Sequence, residues 1–243
     1  MIKFFLTNKI IKFFYGIALL PLCYVFFQTL IFVIKNIEFS NSIVKSFFIG
    51  CGSYLVIHIL LYKPLKLYVI GHELVHAISG YLCGANVKNV KVAKSYGLVN
   101  VDKINTFIAL SPYFVPFYSL IIIILWVIVK YFIKLDIPIE YFMFFLGLTI
   151  TFHLVLTIYA VSLGQQDLKI SGWLFSIVII FIINCLILIL LFIFLFPSKI
   201  KFLDVKDHFL NYLFLSYRVC FNKTLDFTKF LIDKIKNKLA KNI

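Results

Sequence analysis

The sequence predicts an all-α polytopic membrane protein of about six transmembrane helices, with a short membrane-associated β-hairpin and an amphipathic C-terminal tail. Three observations carry that expectation. Hydrophobic residues make up 63% of the 243-residue chain and charged residues only 14%, far more apolar than a soluble domain. Apolar runs of the length that crosses a bilayer, about 20 residues, recur along the chain. Lysines gather between and beyond those runs, as the cationic flanks of spanning helices do.

The first span is expected over residues 11–33 and the second over 46–62. The basic, then apolar N-terminus reads as a retained first helix, because no small-residue cleavage site follows it. Pro64 and its flanking lysines in "YKPLK" mark a boundary, and a third helix is expected over 65–83, stopped at Gly84. In residues 85–104, Val87, Val90, Val92, Val99 and Val101 with Gly97 between them predict a β-hairpin. A fourth span is expected over 105–129, with Pro112 and Pro116 early in it, a fifth over 140–163 and a sixth over 173–196. Beyond Pro197, lysines mix with Phe and Leu as in an interfacial helix. The reading divides the chain into a membrane domain over 1–196 and a basic tail over 197–243.

The formal charge of +14 does not point to nucleic acid. Its lysines sit in the N-terminus, the loops and the tail, where the bilayer surface is the partner. The excess of cations on the side of the two termini predicts cytoplasmic termini. Cys23, Cys51, Cys83, Cys185 and Cys220 lack paired spacing and read as small hydrophobes, neither a disulfide framework nor a thiolate metal site.

Against this apolar background, "VIGHELVHAISG" at 69–80 places His72, Glu73 and His76 within five positions. One charged side chain near a bilayer centre costs roughly 2.5–3.5 kcal/mol on insertion scales, so three ionisable groups need compensation. Histidines four apart stack on one helix face, where both imidazoles converge on a single divalent cation. Glu73, about a third of a turn away, reaches a water bound there without ligating the ion. Zinc brings such a water to a pKa near 7, and Glu73 takes its proton as general base. A chance pair of histidines in a polar helix contact is the alternative.

A catalytic zinc needs a third protein ligand. The metzincin pattern would require a histidine at position 82, which is Leu82. Asp102 lies in the hairpin, while Asp136 and Glu140 flank helix starts. Asp167, in "SLGQQDLKISG", ends the expected fifth helix among polar neighbours. Stepping back by three or four gives Gly164, Ala160, Thr157, His153 and Thr149, a small or polar stripe fit for a hydrated cavity. A capping acid in a loop is the other reading of Asp167. His153 would stand about 21 Å from Asp167 on a continuous helix, so it is a candidate cavity or substrate contact, or an interhelical histidine. His58 and His208 are expected in structural or surface roles.

With these residues in place, the chain resembles the site-2 protease class of intramembrane zinc metalloproteases, closest to its compact bacterial members. The resemblance covers residues 60–185 and rests on "GHELVHA", "YLCGANVKNVKVAKSYGLVNV", "IALSPYFVPFYSL" and "TFHLVLTI…QQDLKISG". It implies a zinc held by His72, His76 and Asp167, Glu73 as catalytic base, and a β-structure at 90–101 whose edge holds the substrate extended. It further implies a bacterial cytoplasmic membrane location and an active site open to the cytosol, whereas the charge count places the Asp167 loop outside. In the family the aspartate is followed by glycine and preceded by an asparagine–proline pattern. Here the sequence is "QQDLK", so the group that stabilises the oxyanion is not supplied by the resemblance. Asn184, on the Gly172–Ser176 face of the sixth helix, is one candidate, and an interhelical hydrogen bond is its other role.

The expected function is therefore zinc-dependent hydrolysis of a peptide bond in or near a transmembrane segment of a membrane-protein substrate. A non-catalytic regulatory membrane protein that keeps the scaffold is the alternative. A transporter using Thr149, His153 and Thr157 as a pathway is disfavoured by the absence of an internal repeat.

Overall fold

The computed structural model describes residues 2–60, 63–92, 97–196 and 200–240. Helices dominate: α1 (Ile2–Lys35), α2 (Ser42–Leu60), α3 (Leu65–Leu82), α4 (Thr106–Leu110), α5 (Phe117–Val127), α6 (Ile139–Ser162), α7 (Gln166–Ser171), α8 (Trp173–Leu195) and α9 (Phe202–Ala240). Strands β1 (Val87–Val92) and β2 (Gly97–Val101) form the expected hairpin.

Among the described residues, four helices are long and apolar enough to cross a membrane: Lys9–Lys35, Ser42–Leu60, Ile139–Ser162 and Trp173–Leu195. The expected fourth span is instead broken. Residues Thr106–Tyr113 and Phe117–Ile133 bend by 72° at Val115–Pro116, because a proline removes a backbone donor and crowds the preceding turn. Counted as one, the pair brings the total to five rather than six. The expected third span, α3, falls short in composition because His72, Glu73, His76 and Ser79 occupy its buried face.

The chain forms two compact units, residues 1–14 with 38–180 and residues 15–37 with 181–243. In the first, α2 and α6 pack backbone to backbone. A Cβ at Gly50 would overlap the Phe144 carbonyl, and one at Gly147 would overlap that of Phe47. Small residues permit such close crossings where no hydrophobic effect drives helices together. Ser119 Oγ donates to Thr149 Oγ1 at 3.0 Å, and Trp126 stacks on Phe142, tying α5 to α6. In the second unit, α9 is more than a surface segment. Its first half runs antiparallel to α1 through Phe32–His208, Tyr24–Tyr212 and the Tyr217 hydroxyl on the Ala18 carbonyl.

The hairpin packs on α3. Val99 pairs with Val90 and Val101 with Val87, with a bulge between Val87 and Asn89. A Cβ at Gly80 would lie 3.2 Å from Val101, and one at Gly97 would overlap the side chain of Glu73. Strand β2 therefore runs alongside α3 in the same direction, with Gly97, Val99 and Val101 on one face by the two-residue period of a strand.

Asp102 clasps the base of the hairpin and is not a site ligand. It accepts from the Asn86 backbone N–H at 2.8 Å and from Asn86 Nδ2 at 2.7 Å. Those donors favour the ionised form and hold its carboxyl below the usual 3.8. A lowered folded value means that the clasp contributes fully above pH 3.8 and is lost as pH falls through the folded value. Exchange protection of the Asn86 amide should persist down to that pH and decline below it; Asp102→Ala should remove it at every pH.

Candidate metal centre

His72, Glu73 and His76 owe their proximity to α3, on which Tyr68, His72 and His76 follow one another at intervals of one turn. All four are buried. The remaining contributor arrives from α7. Helix α6 ends at Ser162, Gly164 adopts a left-handed backbone with φ +65°, and Asp167 lies in the first turn of α7. The fifth helix, expected over 140–163, thus stops before Asp167, which belongs to a short helix of its own. The polar stripe is interrupted at Gly164, where glycine makes the reversal without steric cost.

This reversal brings Asp167 Oδ2 to 3.4 Å from His72 Nε2 and 3.4 Å from His76 Nε2. One ligand atom from each of the three residues lies within 4.8 Å of the others, and among the described residues no other group of His, Cys, Asp or Glu meets that geometry. Donors placed 2.0–2.1 Å from a tetrahedral ion stand about 3.4 Å apart. The separations to Asp167 match a shared zinc-sized ion better than direct hydrogen bonds.

The proton positions agree. His76 Nδ1 lies 2.8 Å from the Ile108 carbonyl, which can only accept, so Nδ1 carries the hydrogen and Nε2 of the neutral ring presents a lone pair. Facing Asp167, that nitrogen is free to ligate a cation when the ring is neutral and donates to the carboxylate when the ring is protonated. Neighbouring groups fix both partners. Tyr113 packs edge-on against His72 at 5.1 Å, and its hydroxyl stands 2.7 Å from Gln165 Oε1 and 3.2 Å from Asp167 Oδ2. The Ser111 hydroxyl donates to Ser79 Oγ at 2.9 Å, holding the broken span against α3.

Other candidates are engaged elsewhere. Asp136 pairs with Lys130 at 3.6 Å, and Glu140 accepts from Ser42. His58 meets Tyr54 at 3.2 Å, and His208 stacks between Phe32 and Tyr212. His153 is buried and lines a small cavity with Phe152, Tyr118 and His72, beside the main cleft rather than on its wall. Asn184 lies on the part of α8 that belongs to the second unit.

The three convergent residues and Glu73 open onto a cavity of about 500 Å³. Its walls also include Tyr68 and Val69 of α3, Val99 and Val101 of β2, Ile104 and Ile108 beyond the hairpin, and Gln165 and Gln166 beside Asp167. Polar groups converging in an apolar cleft of this size are typical of a binding site. Sequence reasoning missed Tyr113 and Gln165, which secure Asp167, and the role of Gly97. The last is legible only in space: a Cβ at Gly97 would overlap the Glu73 side chain, which must move to admit it. Gly97→Ala should therefore displace the Glu73 carboxylate while leaving the three convergent residues alone. The expected result is retained metal binding with about 100-fold slower turnover, read from metal content and reaction rate on one preparation.

No protein-family model, curated protein or solved structure matches the chain.

Proposed function

We propose that this protein is an intramembrane zinc metalloendopeptidase that hydrolyses a peptide bond in or near a transmembrane segment of another membrane protein. The observation that carries the proposal is the meeting of His72, His76 and Asp167, from helices 95 positions apart in sequence, at separations that suit one tetrahedral ion, with Glu73 beside them. Zinc in that position would supply a Lewis acid that polarises a carbonyl and makes water nucleophilic near neutral pH.

The chain's own residues would perform the rest. Glu73 accepts a proton from the attacking water as its oxygen bonds to the peptide carbon and the C=O π pair moves onto the carbonyl oxygen. When that pair returns, the C–N bond breaks and Glu73 passes the proton to the leaving amine. His76 is held in the ligating tautomer by Ile108, and Asp167 is positioned by Tyr113. Val99, Val101, Ile104 and Ile108 exclude water and favour apolar side chains flanking the scissile bond. In the two-stranded sheet one edge of β2 has no strand partner among the described residues. An extended peptide added there would run beside the cavity with its backbone groups satisfied, which matters because helical peptide bonds are shielded from attack. A bacterial cytoplasmic membrane is the proposed location.

The test uses the full chain purified with zinc and reconstituted in vesicles with a transmembrane peptide. One zinc per chain and cleavage that stops on chelation and resumes on adding zinc are the expected results. A metal-replete preparation that binds no zinc overturns the proposal.

A further inference from the structure

We propose that Tyr68 is the hydrogen-bond donor that stabilises the developing negative charge on the scissile carbonyl oxygen. The inference rests on the peptidase reading above and names a residue for a role that the sequence leaves open.

Tyr68 precedes His72 by one turn on the same face of α3, with its ring 5.5 Å from that imidazole. It lines the cavity together with His72, Glu73, His76 and Asp167. The residue is 7% exposed, yet its hydroxyl has no hydrogen-bond partner among the described residues. Comparable tyrosines are satisfied. Tyr118 donates to the Leu67 carbonyl at 2.6 Å, Tyr54 meets His58, and Tyr113 meets Gln165. Burying an unsatisfied hydroxyl is unfavourable, and such exceptions concentrate where a group serves function.

The chemistry of the cavity explains what the hydroxyl is for. Addition of water to a peptide carbon converts a neutral carbonyl oxygen into an anion. The centre's other groups are poorly suited to receive it: Glu73 and Asp167 are anionic acceptors, and the Nε2 atoms of His72 and His76 are directed at Asp167. Gln165 and Gln166 offer amide donors on the wall, but Gln165 is only part-buried, with Oε1 accepting from Tyr113 and its amide unfixed by any other bond among the described residues, and Gln166 is exposed. Among the described residues lining the cavity, Tyr68 alone combines burial, a ring fixed by helix packing and an uncommitted O–H; His72 Nδ1 is also buried without a partner, but it belongs to a ring whose Nε2 faces Asp167. A fixed donor in a water-poor site stabilises transition-state charge without reorganising at the moment of reaction.

The test compares wild type and Tyr68→Phe, which removes one oxygen and keeps the ring. Both are assayed for zinc content, for kcat and KM on a transmembrane peptide, and for affinity toward a phosphinic peptide, whose tetrahedral anionic group copies the product of water addition. Affinity for the intact peptide is measured in a Glu73→Gln background with and without Tyr68→Phe. Zinc content, KM and intact-peptide affinity should hold, while kcat and phosphinic-peptide affinity each fall by about 100-fold or more. An unchanged kcat overturns the inference. So does a matching loss of zinc or of intact-peptide affinity, which would make Tyr68 a packing residue, and so does a Gln166→Ala variant that shows the expected pattern in its place. A wild-type chain that binds no zinc and cleaves nothing overturns the peptidase reading itself. Wild-type cleavage with an indifferent Tyr68→Phe overturns only this assignment.

Discussion

Asp167→Ala is expected to lower zinc affinity by more than about 100-fold, since loss of a group merely hydrogen-bonded to a metal ligand already costs 10–100-fold. Asp167 is the only one of the three convergent residues that does not come from α3, and its Oδ2 faces both imidazoles at 3.4 Å. Without it the two histidines remain stacked one turn apart, a weak two-point site. Its carboxylate also receives the Tyr113 hydroxyl at 3.2 Å, so Asp167→Asn keeps the side chain's shape and separates lost charge from lost packing. The measurement is zinc per chain after equilibration against a metal buffer, with helix content followed in parallel. Full zinc occupancy in a folded Asp167→Ala protein would show that the third ligand is another residue.

Glu73→Gln should leave zinc in place and slow hydrolysis by about 10²–10⁴-fold, the range of a lost general base. The substitution preserves volume where volume is critical, since the Glu73 side chain fills the space against Gly97 where any β-carbon would lie. The amide cannot accept the water's proton or return it to the amine. A single-turnover assay on reconstituted protein reads the chemical step without product release. If the variant turns over at the wild-type rate, Glu73 is not the base, and the scaffold's role is better sought in binding.

These two variants probe opposite halves of what was readable before the fold. His72, Glu73 and His76 were legible because helical periodicity is local: residues four apart must share a face whatever the rest of the chain does. The hairpin was legible for a similar reason, since alternating valines have a period of their own. The bend between Tyr113 and Phe117 was only half legible. Pro112 and Pro116 announced a disturbance, but its 72° size depends on how the broken span meets α3 through Ser111 and Ser79. Asp167 was read as ending the fifth helix, which was expected over 140–163 and does stop at Ser162. Gly164 reverses the backbone, which puts the carboxylate on a new short helix and separates it from the His153 stripe. The tail was read as an amphipathic helix from its mixed composition, and residues 202–240 are helical, but the stacking of Tyr212 and His208 with α1 aromatics is a long-range contact that no local pattern encodes.

The sequence by itself determined the solvent, the helical class, the hairpin and the paired imidazoles with their glutamate, because hydropathy and periodicity are properties of neighbouring residues. Only the tertiary structure decided that Asp167 joins those imidazoles, that Gly97 lies against the Glu73 side chain, and that among the described residues Tyr113 has a partner where Tyr68 does not and four helices, or five with the bent pair, are long and apolar enough to span. Those facts arise where segments remote in sequence are packed together, and the distances between such segments are set by the whole assembly of helices.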